Sequence, residues 1–135
     1  MRIKLQIPNT KLLSTEIQVR STDMNYANHL GNDRILAYAQ ELRSAWFSLL
    51  GFSELDIDGC NIVLADAAIQ FQAEAFAGEV LTGVLFLGEQ NKYGFDLYYQ
   101  FTNQSGESVA TAKTAVLFRG PSGLCAPPDS FLNKL

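Results

Sequence analysis

At 135 residues the chain fits one domain, 1–135, and leaves no room for two ordinary cores. Hydrophobic residues make up 47% and are spread along the whole length, which excludes a disordered chain and points to apolar surface buried in an oligomer. The net charge of −4 comes without any run of Lys or Arg, so neither nucleic acid nor an anionic membrane surface is an expected partner.

The opening MRIKLQIPNTKLL is broken by Lys4, Gln6, Pro8 and Lys11. It lacks the apolar core of a signal peptide, and no apolar run approaches the ~20 residues that span a bilayer, so a cytoplasmic location is expected. From Ser14 to Asp23, STEIQVRSTD places Ile17 and Val19 in alternation and predicts the first strand.

Next comes NYANHLGND, Asn25 to Asp33. It holds the chain's one histidine and three asparagines. A helix is predicted directly after it, over Asn32 to Leu50, from Ile35, Leu36, Ala39, Leu42, Trp46, Leu49 and Leu50 at helical spacing. Asn32 suits the N-cap, Asp33 the positive end of the helix dipole, and Gly51 the residue just past the end. Tyr38, Ala45 and Phe47 widen the apolar stripe, so the helix is expected to be wrapped by other elements.

The pattern then turns to strands. IVLADAAIQFQAEAF (Ile62 to Phe76) alternates apolar and polar residues; EVLTGVLFLGEQ, KYGFDLYYQFTN and GESVATAKTAVLFRG follow at boundaries of Gly, Asn and Ser. Such short spacings favour antiparallel hairpins. GPSGLCAPPDSFLNKL reads as an irregular tail from about residue 120. One strand, one long helix and a run of strands give an α+β fold with a curved sheet around a central helix. Cys60 and Cys125 have no metal-ligand spacing, so free structural thiols and no metal or other cofactor are expected.

The stretch STDMNYANHLGNDRILAYAQELRSAWFSLLGFSE resembles the strand–loop–helix opening of hotdog-fold acyl-CoA thioesterases of the 4-hydroxybenzoyl-CoA thioesterase-like superfamily. Many members carry a D-x-D-x-x-G-H-x-N-N loop, then an acidic residue before an Ala-Arg pair, then a Leu-Gly helix end. Here His29, Asn32, the Glu41-Leu42-Arg43 run and Leu50-Gly51 fall into register. IVLADAAIQFQAEAFAGEVL and GESVATAKTAVLF are similar to later strands of the family, so the likeness covers roughly Ser14 to Phe118. It implies a hotdog fold, with one long helix wrapped by five or six mostly antiparallel strands. It also implies an acyl-CoA substrate, and a homodimer or homotetramer whose sites lie across the subunit interface. The sequence departs from the pattern at two loop positions: Asn25 stands where the better-known branch has its catalytic Asp, and Asn28 where a Gly is usual.

Thioester hydrolysis needs a polarised carbonyl, an activated water and a held acyl chain. The helix start offers free amides, and Asn25 and Asn32 offer side-chain amides. For the water, the titratable candidates are Asp33, Glu41, Asp23, Asp66 and His29. Glu41 lies ~12 Å up the helix from Asp33, so a neighbouring subunit's site is its more natural reach. Catalytic candidates are therefore Asn25, His29, Asp33 and Glu41. Substrate-binding candidates are Tyr26, Gly31, Asn32 and Asp66, with Lys92, Lys113 and Arg119 for the phosphates of coenzyme A.

Each also has a plain structural use. His29 can pack a loop, Asn32 and Asp33 can cap, Glu41 can pair with Arg34 or Arg43, and Asp66 can sit on a solvated face. Three readings follow: an acyl-CoA thioesterase, a non-catalytic acyl-thioester-binding protein of the same fold with Asn25 marking lost catalysis, and an enoyl-thioester hydratase using Asp23 and His29. The last lacks the proline usual in its motif.

Overall fold

In the computed structural model, which describes residues 2–135, strand β1 (Thr10–Gln18) is followed by a 3₁₀ turn at Ser21–Asp23 and the long helix α1 (Arg34–Leu49). Then come β2 (Asn61–Phe71), β3 (Val80–Asn91), β4 (Gly94–Thr102), β5 (Ser108–Gly120), the short β6 (Gly123–Cys125) and a one-turn helix α2 (Asp129–Leu132). The sheet runs β1-β3-β4-β5-β2 with β6 added on β5, and every pairing is antiparallel. This is the α+β hotdog arrangement that the resemblance implied.

Alternation builds the core. Leu81 and Leu85 on β3, Phe95, Leu97, Tyr99 and Phe101 on β4, and Ala110, Ala112, Val116 and Phe118 on β5 are buried on the inner face of the sheet. Against them lie Ile35, Ala39, Leu42, Trp46 and Phe47 of α1, spaced three and four apart so that they share one face. Leu42 rests on Gly83, where a Cβ would stand 2.9 Å from a Leu42 methyl. Bulges between Lys11 and Leu13, Leu64 and Asp66, and Leu87 and Gln90 add the twist that curls the sheet around the helix. The outer face of α1 stays open, with Leu36, Ala37, Gln40, Glu41, Ser44 and Ala45 exposed.

Several element boundaries differ from expectation. The first strand starts and stops four to five residues early, because the Asp23 carboxylate accepts the Arg20 amide at 3.1 Å and closes the 3₁₀ turn. The helix begins at Arg34, and its N-cap position falls on Asp33 rather than Asn32. Asp33 is already in the α conformation and makes no side-chain cap bond; the Arg34 amide is received instead by the Gly31 carbonyl. The C-terminus ends as expected: Gly51 has φ +89°, its amide donates to Ser48, and the Phe52 amide donates to Phe47 at 2.9 Å.

The strand expected to reach Phe76 stops at Phe71, because the amides of Gln72 and Ala73 both turn onto the single carbonyl of Val109. The tail is ordered rather than irregular. Phe131 is fully buried, with its ring centroid 5.3 Å from Phe118, 5.6 Å from Phe47, 5.7 Å from Trp46 and 5.9 Å from Phe95 and Phe52. Cys60 and Cys125 are free thiols 3.5 Å apart. Burial and the neighbouring Cys125 push the Cys60 thiol up.

Candidate active site

The loop between the 3₁₀ turn and α1 is held by its own asparagines. Asn25 Oδ1 accepts the amides of Ala27 (3.0 Å) and His29 (3.2 Å). Asn25 and His29 also bond backbone to backbone at 2.8 Å, and the Asn28 amide donates to the Asn25 carbonyl. Asn28 has φ +65°, a left-handed conformation that Asn tolerates and Gly adopts freely, which accounts for the residue type at this position. The Leu30 amide donates to Ala75, and the Gly31 amide to Asp23, so the loop is tied to the segment after β2 and to the 3₁₀ turn. A Cβ on Gly31 would meet Asp33 Oδ1 at 2.7 Å; glycine here clears the Asp33 side chain.

A cavity of about 300 Å³ opens between this loop, the start of α1, the end of β2 and the start of β5. Its apolar lining includes Ile35, Phe71, Val109 and Ala110; its polar side carries Asn25, His29, Asn32 and Glu74. His29 Nδ1 stands 3.2 Å from Glu74 Oε1, and the His29 ring meets Phe76 edge to face at 5.3 Å. Asn25 uses its oxygen on the loop, which leaves the two N–H donors of Nδ2 without a partner among the described residues. The amide of Asn32, one residue before the N-cap Asp33, likewise donates to no backbone carbonyl there. The cavity therefore gathers uncommitted donors at the positive end of a sixteen-residue helix.

Of the candidates read from sequence, this cavity brings together Asn25, His29, Gly31 and Asn32. Tyr26 is fully exposed at the loop tip. Asp33 lies 3.9 Å from Arg34. Glu41 opens onto a second, polar cavity of about 490 Å³ between α1 and β1. Its expected Arg partners are otherwise engaged: Arg43 pairs with Glu54 at 3.2 Å and Arg34 with Asp23 at 3.8 Å. Asp66 holds Lys113 at 2.8 Å, with Asp96 3.6 Å from the same ammonium. Lys92 stands over the Tyr93 ring at the β3–β4 turn, and Arg119 Nε donates to Asn61. Glu74 is the residue that sequence reasoning missed. It looked like one more outward polar position of a strand that in fact ends at Phe71.

Two further polar clusters are engaged in structure, with one buried oxygen, Glu54 Oε1, left without a partner among the described residues. Tyr38 donates to Asp23 Oδ2 at 2.6 Å. Burial raises the Asp23 carboxyl, but the bonds from Tyr38 and the Arg20 amide, with the charges of Arg34 and Arg20, outweigh it and hold it below the usual carboxylate range. Burial first, and then the Asp23 carboxylate, push the Tyr38 phenol up. Deeper in, buried Arg43 donates to Glu54 and to the Tyr99 hydroxyl at 3.1 Å, and Tyr99 meets Thr114 at 2.7 Å.

A sequence profile described as the thioesterase-like superfamily matches residues 19–135. The chain belongs to that superfamily. As a member of the thioesterase-like superfamily it is a hydrolase acting on thioester bonds. Among solved structures it is similar to Slr0204, a 1,4-dihydroxy-2-naphthoyl-CoA thioesterase from Synechocystis, at 24% identity over 90% of this chain and 93% of that one, TM-score 0.82. It is also similar to SAV2348 from Staphylococcus aureus in complex with CoA, at 15% identity over 98% and 85%, TM-score 0.83. A third is AQ1494 from Aquifex aeolicus, at 19% identity over 91% and 98%, TM-score 0.85. No curated protein sequence matches. At these identities the structures speak for the superfamily's fold. Among the described residues no helix is long and apolar enough to cross a membrane.

Proposed function

We propose that the protein hydrolyses a small or medium acyl-CoA in the cavity beside His29, at a subunit interface. The observation that carries this reading is the pair of donors without a protein partner among the described residues, Asn25 Nδ2 and the Asn32 amide, in a cavity with an apolar wall. A thioester carbonyl becomes an oxyanion during attack, and donors fixed beforehand stabilise it without reorganising. Ile35, Phe71, Val109 and Ala110 offer the acyl chain an apolar wall.

The free edge of β2 supports a second copy. Leu64 and Phe71 are exposed on this edge strand, and Phe71 also lines the cavity. An antiparallel β2–β2 pairing brings the partner's strand start against this chain's strand end. Arg119, bonded to Asn61 at that start, then comes near the neighbouring cavity, with Lys92 at the adjoining turn. We assign both to the phosphates of coenzyme A in a dimer or a dimer of dimers. Asp33 and Glu41 lie off their own chain's cavity and act, if at all, in the partner's site. Asn25 in place of the family's Asp favours a second reading, a protein that binds acyl thioesters without turning them over.

Acyl-CoAs of graded length with free-thiol detection separate the two readings. Release of coenzyme A is expected; tight binding without release sinks the hydrolase reading. Light scattering that returns a monomer mass at micromolar concentration sinks the interface site.

A further inference from the structure

Among the residues lining the first cavity only two side chains titrate, His29 and Glu74. Asp33 and Glu41 do not line it, and Asn25 has no proton to take or basic lone pair to offer. A water that attacks a thioester in this cavity therefore meets an imidazole and a carboxylate already in contact at 3.2 Å. The imidazole is held from three sides. The backbone of His29 is bonded both ways to Asn25, the Phe76 ring stands perpendicular to the imidazole at 89°, and Glu74 Oε1 comes within 3.2 Å of Nδ1. A carboxylate that accepts the Nδ1 proton fixes the tautomer and leaves the Nε2 lone pair as the base. Among the described residues Nε2 has no partner.

On the thioesterase reading, we infer that His29 is the general base of this site and that Glu74 is its positioning residue. Nε2 takes a proton from water as the water oxygen bonds to the thioester carbon. The carbonyl electron pair moves to oxygen, where the Asn25 amide and the helix amides receive it. The oxyanion then collapses, the C–S bond breaks, and the imidazolium returns its proton to the leaving thiolate. The products are a carboxylic acid and coenzyme A thiol, so atoms and charge balance with water as the one co-reactant. Glu74 stabilises the transient imidazolium across the 3.2 Å contact with Nδ1, a role that requires contact with the ring and not with the substrate. Thioesterases of the better-known branch place an Asp where Asn25 stands. Here the carboxylate arrives from the segment after β2 and acts through the histidine.

The test uses the whole protein and the acyl-CoA that it turns over best. Because His29 is the single histidine, ethoxyformylation by diethyl pyrocarbonate reports on it without any mutation. Activity is expected to fall in step with histidine modification and to return with hydroxylamine. His29→Gln is expected to lower kcat by about 10²–10⁴-fold, the range of a lost general base. Glu74→Ala is expected to lower kcat by around 10²-fold, as a misplaced group does, with KM little changed. Glu74→Gln, whose amide oxygen still accepts from Nδ1, restores most of that loss. Full turnover by protein with its histidine modified overturns the dyad and leaves the hydrolase standing; so does unchanged kcat in Glu74→Ala. If untreated protein hydrolyses no acyl-CoA, the hydrolase reading falls and the dyad falls with it. A misfolded His29→Gln leaves the modification experiment on the native chain to decide.

Discussion

Two polar regions meet α1, one at its start and one past its middle, and they differ in how their donors and acceptors are used. On the side facing β4 and β5, Arg43 reaches both Glu54 and Tyr99, and the Tyr99 and Thr114 hydroxyls share a bond of 2.7 Å. In the loop cavity Asn25 Nδ2, His29 Nε2 and the Asn32 amide have no protein partner among the described residues. Asn25, Asn32 and Asp33 are exposed, so water serves their free donors, whereas Glu54 Oε1 beside Arg43 is buried without a partner, an arrangement that costs roughly 1–3 kcal/mol. Donors that only water serves beside a cavity are free to receive a ligand. The Arg43 cluster ties the helix to the sheet; the loop closes on the Asn25 oxygen and leaves Asn25 Nδ2 free.

That contrast can be broken in four ways. The largest effect is expected from Arg43→Met. It strands the half-buried Glu54 carboxylate, and removing one partner of a buried ion pair costs about 3–5 kcal/mol. Urea unfolding measures it, and turnover per folded molecule is expected to hold; if turnover falls instead, the cluster is part of the site.

Next is Asn25→Asp. The Asp keeps the oxygen that accepts from Ala27 and His29, so the melting temperature is expected to stay close to wild type. It removes the free amide, so kcat/KM is expected to fall by around 10²-fold or more. A gain in turnover reverses the assignment and makes Asn25 the mark of lost carboxylate catalysis.

The third concerns pH. The folded Asp23 carboxyl titrates below its unfolded value of about 3.9. Its contribution to stability is thus fully present above that value and is lost as pH falls through the folded one. Acid unfolding followed by circular dichroism is expected to show a shallower limb in Asp23→Asn, and an unchanged limb disproves the coupling.

The smallest effect is expected from Asn32→Ala. Its side chain makes no cap bond, so stability is expected to change by no more than about 0.5 kcal/mol. A loss near 1 kcal/mol restores Asn32 as the cap.

Much of the fold is local and was therefore legible. Ile35, Leu42 and Trp46 fall at helical spacing and share a face; Gly51 ends the helix with a positive φ that its residue type announces. The strands after residue 60 show in their alternation. Strand order does not, because placing β1 beside β3 and β2 beside β5 depends on contacts between residues tens of positions apart. The site divides in the same way. Asn25, His29 and Asn32 are neighbours in the chain and were visible as a cluster. Glu74 became visible only when Val109 was seen to take two amides and end β2 early, which no pattern within residues 62–76 encodes. The tail was misread for a related reason. Its Pro and Gly content describes the backbone, whereas its order comes from one ring at residue 131 finding five others.

That ring has a consequence for the order in which the protein is made. Phe131 lies after every strand and fills the space between Trp46, Phe47, Phe52, Phe95 and Phe118. During synthesis the whole sheet and α1 leave the ribosome before the residue that closes their aromatic core. A nascent chain stalled short of it carries a gap lined by five aromatic rings, the kind of surface that chaperones hold and that sticks to its neighbours when they do not.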